Sequence, residues 1–169
     1  MLEKRKPIIG LTMGDPNGIG PEIIVKALTK LNSCLDWHPV IFGDAWVLEQ
    51  VINKLGSNLQ LRVCENLAEL TSGPCIVDLK VHSGRHWQLG QASGWGGESS
   101  FQFLKVAIEA ALTKQIDAIT TAPLSKTALH MAGHHFPGHT EILSALSNGD
   151  PPFMMLTVEG LRAVHVSTH

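Results

Sequence analysis

The sequence predicts an α/β fold, a mainly parallel sheet flanked by helices, and three observations point there. Short apolar runs alternate with amphipathic segments along most of the chain. A glycine-rich loop, GDPNGIGPE, separates the first apolar run from the first helical pattern. The chain has 169 residues, 44% of them hydrophobic, enough to bury roughly 70% of its unfolded surface.

Taken in order, PIIGLTM (from Pro7) reads as a buried strand and PEIIVKALTKL as a helix. Pro21 falls in that helix's first turn, where a missing N–H does no harm. PVIFGD is a second strand, followed by AWVLEQVINKL as a helix closed by Gly56. CIVDL is another short strand. Between Glu98 and Gln115, the stripe of Phe101, Leu104, Ile108 and Ala111 predicts a helix. Gly94, Gly96 and Gly97 blur its start, and the Gly/Ser-rich span from Leu89 to Ser100 reads as a mobile loop, a hinge or lid. IDAITTAP is then a strand, SKTALHMAG a short helix and HTEILSALS another. PFMMLTV and LRAVHVST read as strands joined at Glu159-Gly160, so the sequence stops inside an apparent strand. No internal domain boundary stands out between residues 1 and 169.

Composition narrows the function classes. A formal charge of -2 argues against a nucleic-acid partner, which usually needs a basic patch; Lys4, Arg5 and Lys6 read as solvated surface. IIGLTM is too short for a signal-peptide core, and no run approaches a membrane span of roughly 20 apolar residues. Three cysteines, Cys34, Cys64 and Cys75, without a C-x-x-C pair are expected to be reduced and buried, and the cytoplasm is the expected location.

The glycine loop is neither of the familiar phosphate cradles. No Gly-Lys-Ser/Thr closes it, and Gly14, Gly18 and Gly20 have the wrong spacing for the dinucleotide fingerprint. A strand-to-helix glycine loop can still bring backbone N–H groups to an anion. Asp15 and Asn17 would line a ligand there; a plain tight turn is the competing reading. In TTAPLSK, a strand end and a helix start bring Thr121, Ser125 and Lys126 to the same edge. Lys126 could hold a phosphate or carboxylate as a point charge, or be an ordinary exposed lysine.

Histidines number nine. The pairs His130/His134 and His135/His139 have helical spacing, but Gly133, Pro137 and Gly138 interrupt a helix and no H-E-x-x-H occurs, which argues against a zinc hydrolase. His139 and Thr140 open a helix, as a surface histidine and an N-cap threonine or as an imidazole and a hydroxyl that bind a substrate. Glu141 is a first-turn acid with no assigned chemistry.

Four motifs, MGDPNGIGPEI, TTAPLSK, GHTEIL and MML followed by LRAVHVSTH, occur in order over nearly the whole chain. Together they resemble the 4-hydroxythreonine-4-phosphate dehydrogenase family of pyridoxal phosphate synthesis, and the first is similar to the GDGIGPE segment of isocitrate and isopropylmalate dehydrogenases. The resemblance implies an isocitrate/isopropylmalate dehydrogenase-like fold. It implies that residues 1–169 are the N-terminal portion of a two-domain enzyme roughly twice as long, so that the fold is incomplete and the chain alone inactive.

It further implies NAD or NADP as hydride acceptor, a divalent metal (zinc, magnesium or cobalt), and oxidation with decarboxylation of 4-phosphooxy-L-threonine to 3-amino-2-oxopropyl phosphate. His139 and Thr140 would bind that phosphorylated hydroxy-amino acid, and His169 would be one metal ligand of three, with His165 structural or supporting it. A homodimer with its site at the subunit interface is implied as well. The alternatives are a dehydrogenase of phosphoerythronate or phosphothreonate, an acyl-phosphate transferase of similar fold, and a non-catalytic binding domain.

Overall fold

A computed structural model of the chain describes residues 5–31, 36–64, 67, 73–81, 87–149 and 152–165. Five parallel strands form the main sheet in the order β3-β4-β2-β1-β5: β1 (Ile8–Thr12), β2 (His38–Gly43), β3 (Arg62–Val63), β4 (Cys75–Asp78) and β5 (Ala118–Thr121). Among the described residues five helices accompany them: α1 (Gly20–Leu31), α2 (Ala45–Leu55), α3 (Gly94–Leu112), α4 (Lys126–Met131) and α5 (His139–Ser147). The expected α/β class is the observed one. β3, two residues long with both side chains exposed, carries no periodic signal and was not predicted.

The strand order sets which face each helix covers. From β1 the chain steps to β2 and on to the β3 edge, whereas from β4 it crosses to β5 at the far edge. Right-handed crossovers running in opposite directions place their helices on opposite faces. Alternate side chains of the central strands therefore serve two cores. Ile41 and Ile76 pack with Val25, Leu28, Val47 and Leu48 of α1 and α2. Val40, Phe42 and Cys75 pack with Ala107 and Ala110 of α3. Local signals set the ends of α2: Asp44 accepts from the Val47 N–H at 3.1 Å, and Gly56 closes it in the left-handed conformation.

Helix α3 departs most from expectation. It starts at Gly94, capped by Ser93, so residues 94–100 of the expected mobile loop are helical, and Gly96, Gly97, Ser99 and Ser100 are buried. The glycines are there for contact rather than flexibility. A Cβ on Gly97 would sit 1.9 Å from the carbonyl oxygen of Ala128, so only glycine lets α4 lie this close. One stripe of α3 packs on the sheet, while Leu104 and Ile108 meet Leu129 of α4 and Ile142 of α5.

The cysteines also differ from the reading as reduced thiols. Cys64 and Cys75 form a disulfide with Cα atoms 5.8 Å apart. Pairing of Val63 with Ile76 across β3 and β4 brings them side by side, which a separation of 11 residues hides in the sequence. The argument from reduced thiols to the cytoplasm falls with that reading. Among the described residues no helix is long and apolar enough to cross a membrane.

Residues 152–165 hold an antiparallel hairpin, β6 (Met155–Val158) and β7 (Leu161–Val164), turning at Glu159-Gly160 as expected. The rest of the expected last strand, residues 166–168, lies outside the described residues, as does residue 169.

The disulfide closes a loop whose chain-entropy contribution is about 3 kcal/mol. Reduction of the wild type should lower its stability to denaturant by about that amount, and Cys64→Ser should be as unstable without reductant as the reduced wild type. Thiol titration of unfolded, unreduced protein should find a single reactive thiol, assigned to Cys34.

Candidate ligand-binding crevice

The candidate site lies at the carboxyl ends of β1 and β5, which are neighbours paired from Ile9↔Ala118 to Thr12↔Thr121. The loop after β1 leads into α1 on one face of the sheet, and the loop after β5 leads into α4, which packs against α3 on the other face. A crevice opens where adjacent strands send their loops to opposite faces, and ligands of open α/β sheets bind there.

Backbone contacts bring the two loops together. Ala122 N–H donates to the Thr12 carbonyl at 3.1 Å, and Asp15 N–H donates to the Pro123 carbonyl at 3.0 Å. Gly14, at φ 69°, makes this approach possible: a Cβ there would lie 2.2 Å from the Pro123 oxygen.

His139, the first residue of α5, joins the same edge, its Nε2 lying 3.2 Å from the Ala122 carbonyl oxygen. A carbonyl only accepts, so Nε2 carries the proton and Nδ1 of the neutral ring keeps its lone pair. Burial holds the imidazole pKa below its ordinary range, partly offset by the hydrogen bond to Ala122. The helix is capped by Gly138, whose backbone leads in, which removes the N-cap alternative for Thr140; that residue is half-buried within the first turn. Its hydroxyl is therefore not tied up in capping. Lys126 opens α4 behind the cap Ser125, which accepts from Ala128 N–H at 3.2 Å, and is exposed.

Asp15 and Asn17 sit deeper than a ligand-lining role expects, at 4% and 2% exposure. Asn17 is fully engaged with protein groups. Its Nδ2 donates to Ser93 Oγ at 3.0 Å, its Oδ1 accepts from Gln88 N–H at 2.9 Å, and its carbonyl accepts from Gly90 N–H at 2.8 Å. Trp87 Nε1 donates to the Pro16 carbonyl at 2.9 Å. Residues 87–93 are thus strapped over the glycine loop. Asp15 Oδ1 accepts from Asn17 N–H at 2.9 Å, and burial raises the carboxyl pKa against the lowering effect of that bond.

The structure thus brings the Asp15 loop, the 122–126 segment and His139 to one edge. His165 is apart from them, on an exposed hairpin, and His169 lies outside the described residues. The His130/His134 pair is divided by its partners: His134 Nε2 lies 2.7 Å from Glu98 Oε2, with its ring stacked on Phe101. Among the described residues no group of three histidines, cysteines or carboxylates could hold a metal ion, so those residues do not by themselves make a metal site. Sequence reasoning missed Ser93 and the Ala122 carbonyl. A serine just ahead of a helical pattern is an N-cap signal; a carbonyl that matters only through a distant histidine has none.

Comparison with known proteins follows the same outline. Residues 36–169 match the family model described as pyridoxal phosphate biosynthetic protein PdxA. The chain is 41% identical over 167 residues to the D-threonate 4-phosphate dehydrogenase of Cupriavidus necator, covering 96% of this chain and 50% of that protein. It is 40% identical over 166 residues to the enzyme of the same name from Salmonella typhimurium, covering 95% and 50%. A crystal structure of a 4-hydroxythreonine-4-phosphate dehydrogenase from Burkholderia phymatum superposes with a TM-score of 0.90 at 39% identity, over 98% of this chain and 51% of that one. The chain spans about half the length of these relatives.

Two substitutions test the buried polar latch. Asn17→Ala strands the Gln88 N–H, removes the Nδ2 bond that ties the glycine loop to Ser93, and should destabilise the chain by about 2–3 kcal/mol in urea unfolding. Asp15 has a folded-state pKa above its unfolded value. Its favourable contribution is therefore present below the ordinary carboxylate pKa and lost as pH rises through the raised value. Asp15→Asn should melt higher than the wild type at pH 7.5, with the gain shrinking toward pH 4.

Proposed function

The chain belongs to the PdxA family of pyridoxal phosphate biosynthetic proteins, and from that premise we propose that it forms the N-terminal part of a dehydrogenase acting on a four-carbon hydroxy acid phosphorylated at its last carbon. Relatives at 40–41% identity bear the name D-threonate 4-phosphate dehydrogenase, which makes D-threonate 4-phosphate the first substrate to test. 4-Phosphooxy-L-threonine, the sequence's own first expectation, comes second. The two differ only in a hydroxyl or an amino group at C2.

The observation that carries the reading is the neutral His139. With Nε2–H donated to Ala122, Nδ1 is left to accept a hydrogen bond from the substrate's secondary hydroxyl. The half-buried ring makes that bond in a partly desolvated setting, where it is worth more than in water. Thr140 adds a hydroxyl beside it, and Lys126 a cation on the same edge, matched to the substrate's phosphate or carboxylate. Asp15 and Asn17 act indirectly, holding the loop that shapes the crevice floor.

A nicotinamide cofactor would accept the hydride released when the alcohol becomes a ketone. The described residues do not complete a metal site, so no step is assigned to a metal; His169 is proposed as one ligand in the assembled enzyme. A homodimer belongs to the same reading, and light scattering would test it.

The experiment is a substrate panel on an enzyme in which this chain is joined to the half of the family fold it does not span. Each phosphorylated acid is offered with NAD or NADP and a divalent cation, and reduced cofactor is followed by absorbance. Turnover of D-threonate 4-phosphate above the threonine derivative supports the proposal; no turnover of either rejects it. His139→Ala should lower kcat/KM by roughly 10–100-fold, the loss of one hydrogen bond to a charged or developing partner. Affinity in the wild type should fall as pH drops below the ordinary imidazole value of about 6.5, because protonation removes the Nδ1 lone pair, and His139→Ala should flatten that limb.

A further inference from the structure

Nothing in the reaction proposed above uses the Cys64–Cys75 disulfide. It stands at the β3 edge of the main sheet, opposite the β5 edge. Two paired residues join β3 to β4, followed by the Cys64 N–H, which donates to the Ile76 carbonyl at 2.7 Å. The side chains of β3 are both exposed and add no packing, so the bridge is its main fastening. The two sulfurs are unequally placed. Cys75 has no exposed surface and packs with Val40, Phe42 and Ala107. Cys64 is half-buried and lines a cavity of about 500 Å³, together with Val77, Val106 and Glu109.

A second cavity, of about 420 Å³, adjoins the first and shares Leu67 and Gln115 with it. Arg5, Lys6, His38 and Lys114 line its other sides. Lys6 and Lys114 are exposed, and Arg5 is paired with Asp117 at 2.8 Å. Among these residues three cations stand against two carboxylates, Asp117 and Glu109. This corner is therefore net positive in a chain whose formal charge is -2. Each cavity falls within the roughly 300–1,000 Å³ of small-ligand sites.

We propose that Cys64 is a thiol-exchange site for a small peptide thiol that carries carboxylates, its sulfur entering the first cavity and its carboxylates meeting the cations of the second. The thiolate attacks Cys64 Sγ and forms a new S–S bond. The bond from Cys64 to Cys75 breaks, and its electron pair leaves on Cys75 Sγ, which takes a proton from solvent. The incoming thiol is oxidised to a mixed disulfide and Cys75 is reduced, so no further oxidant enters. Exchange requires access to the sulfur attacked, and burial leaves that access to Cys64. Cys75 stays on the neighbouring strand, where its thiolate can reverse the step and expel the peptide thiol. While the mixed disulfide lasts, β3 is held by backbone bonds alone. The proposal rests on neither the substrate nor the reaction argued above.

The test treats the full 169-residue chain, carrying Cys34→Ser, with reduced glutathione, an acidic tripeptide thiol, and in parallel with cysteamine, a cationic thiol. Early time points are quenched with acid and mapped by mass spectrometry. Glutathione should be found on Cys64 and not on Cys75, at a rate proportional to its concentration. Hydrogen exchange at residues 62–64 should quicken by roughly tenfold in the modified protein. Lys6→Gln combined with Lys114→Asn removes two cations, and asparagine suits the positive φ of 59° at position 114. That variant should react with glutathione roughly 2–5-fold more slowly and with cysteamine as fast as the wild type or faster.

Loosening of the whole fold would speed both thiols alike, so the ratio of the two rates isolates the cavity. Glutathione on Cys75, a rate independent of thiol concentration, or exchange only in urea that unfolds the chain would overturn the proposal. So would a double variant that changes both thiol rates equally or neither. None of these readouts uses substrate, so dehydrogenase turnover, present or absent, does not bear on them.

Discussion

The backbone of residues 13–15 lies against the backbone of residues 122–123, and the rest of the site follows from that contact. Only glycine at position 14 allows it, through both its φ and the space its missing side chain leaves for the Pro123 carbonyl. The approach aligns the ends of β1 and β5, fixes where α4 begins, and turns the Ala122 carbonyl toward the ring of His139. A side chain at position 14 would push the two strand ends apart and separate the Ala122 carbonyl from the His139 ring.

Burial at this edge acts on two titratable groups in opposite charge directions but to one end. It raises the pKa of Asp15 and lowers that of His139, so both are driven toward their uncharged forms. The protein thereby sets a neutral hydrogen-bonding floor at the strand ends, while the ammonium of Lys126 stays exposed at the rim. On the proposed reading, a phosphorylated acid would meet its charge partner at the edge and its hydroxyl partner within. Desolvation explains this division, since charge is tolerated in water and neutral donors and acceptors gain strength away from it.

Much of the fold was legible in the residues. Helix α2 could be read from its own ends, because Asp44 and Gly56 act through local geometry. Helix α5 was read with both bounds, though its cap proved to be Gly138. Helix α3 was misread at its start, because Gly96 and Gly97 look like loop residues until α4 is seen lying against them. The Cys64–Cys75 bridge was missed for a related reason: a parallel strand pair, not a sequence motif, brings the sulfurs together.

By itself the sequence determined the alternation of strands and helices, the glycine loop and the identity of the residues that open α4 and α5. Those are decided within a few residues by propensity, periodicity and capping. Tertiary structure alone decided that Asn17 holds a strap in place instead of facing a ligand, that Asp15 is buried under Gly96, and that the His139 ring is held in one tautomer. Each of these depends on a partner some 17 to 81 residues away in the chain, and burial, which sets protonation and hydrogen-bond strength, is a property of the packed molecule and of no segment within it.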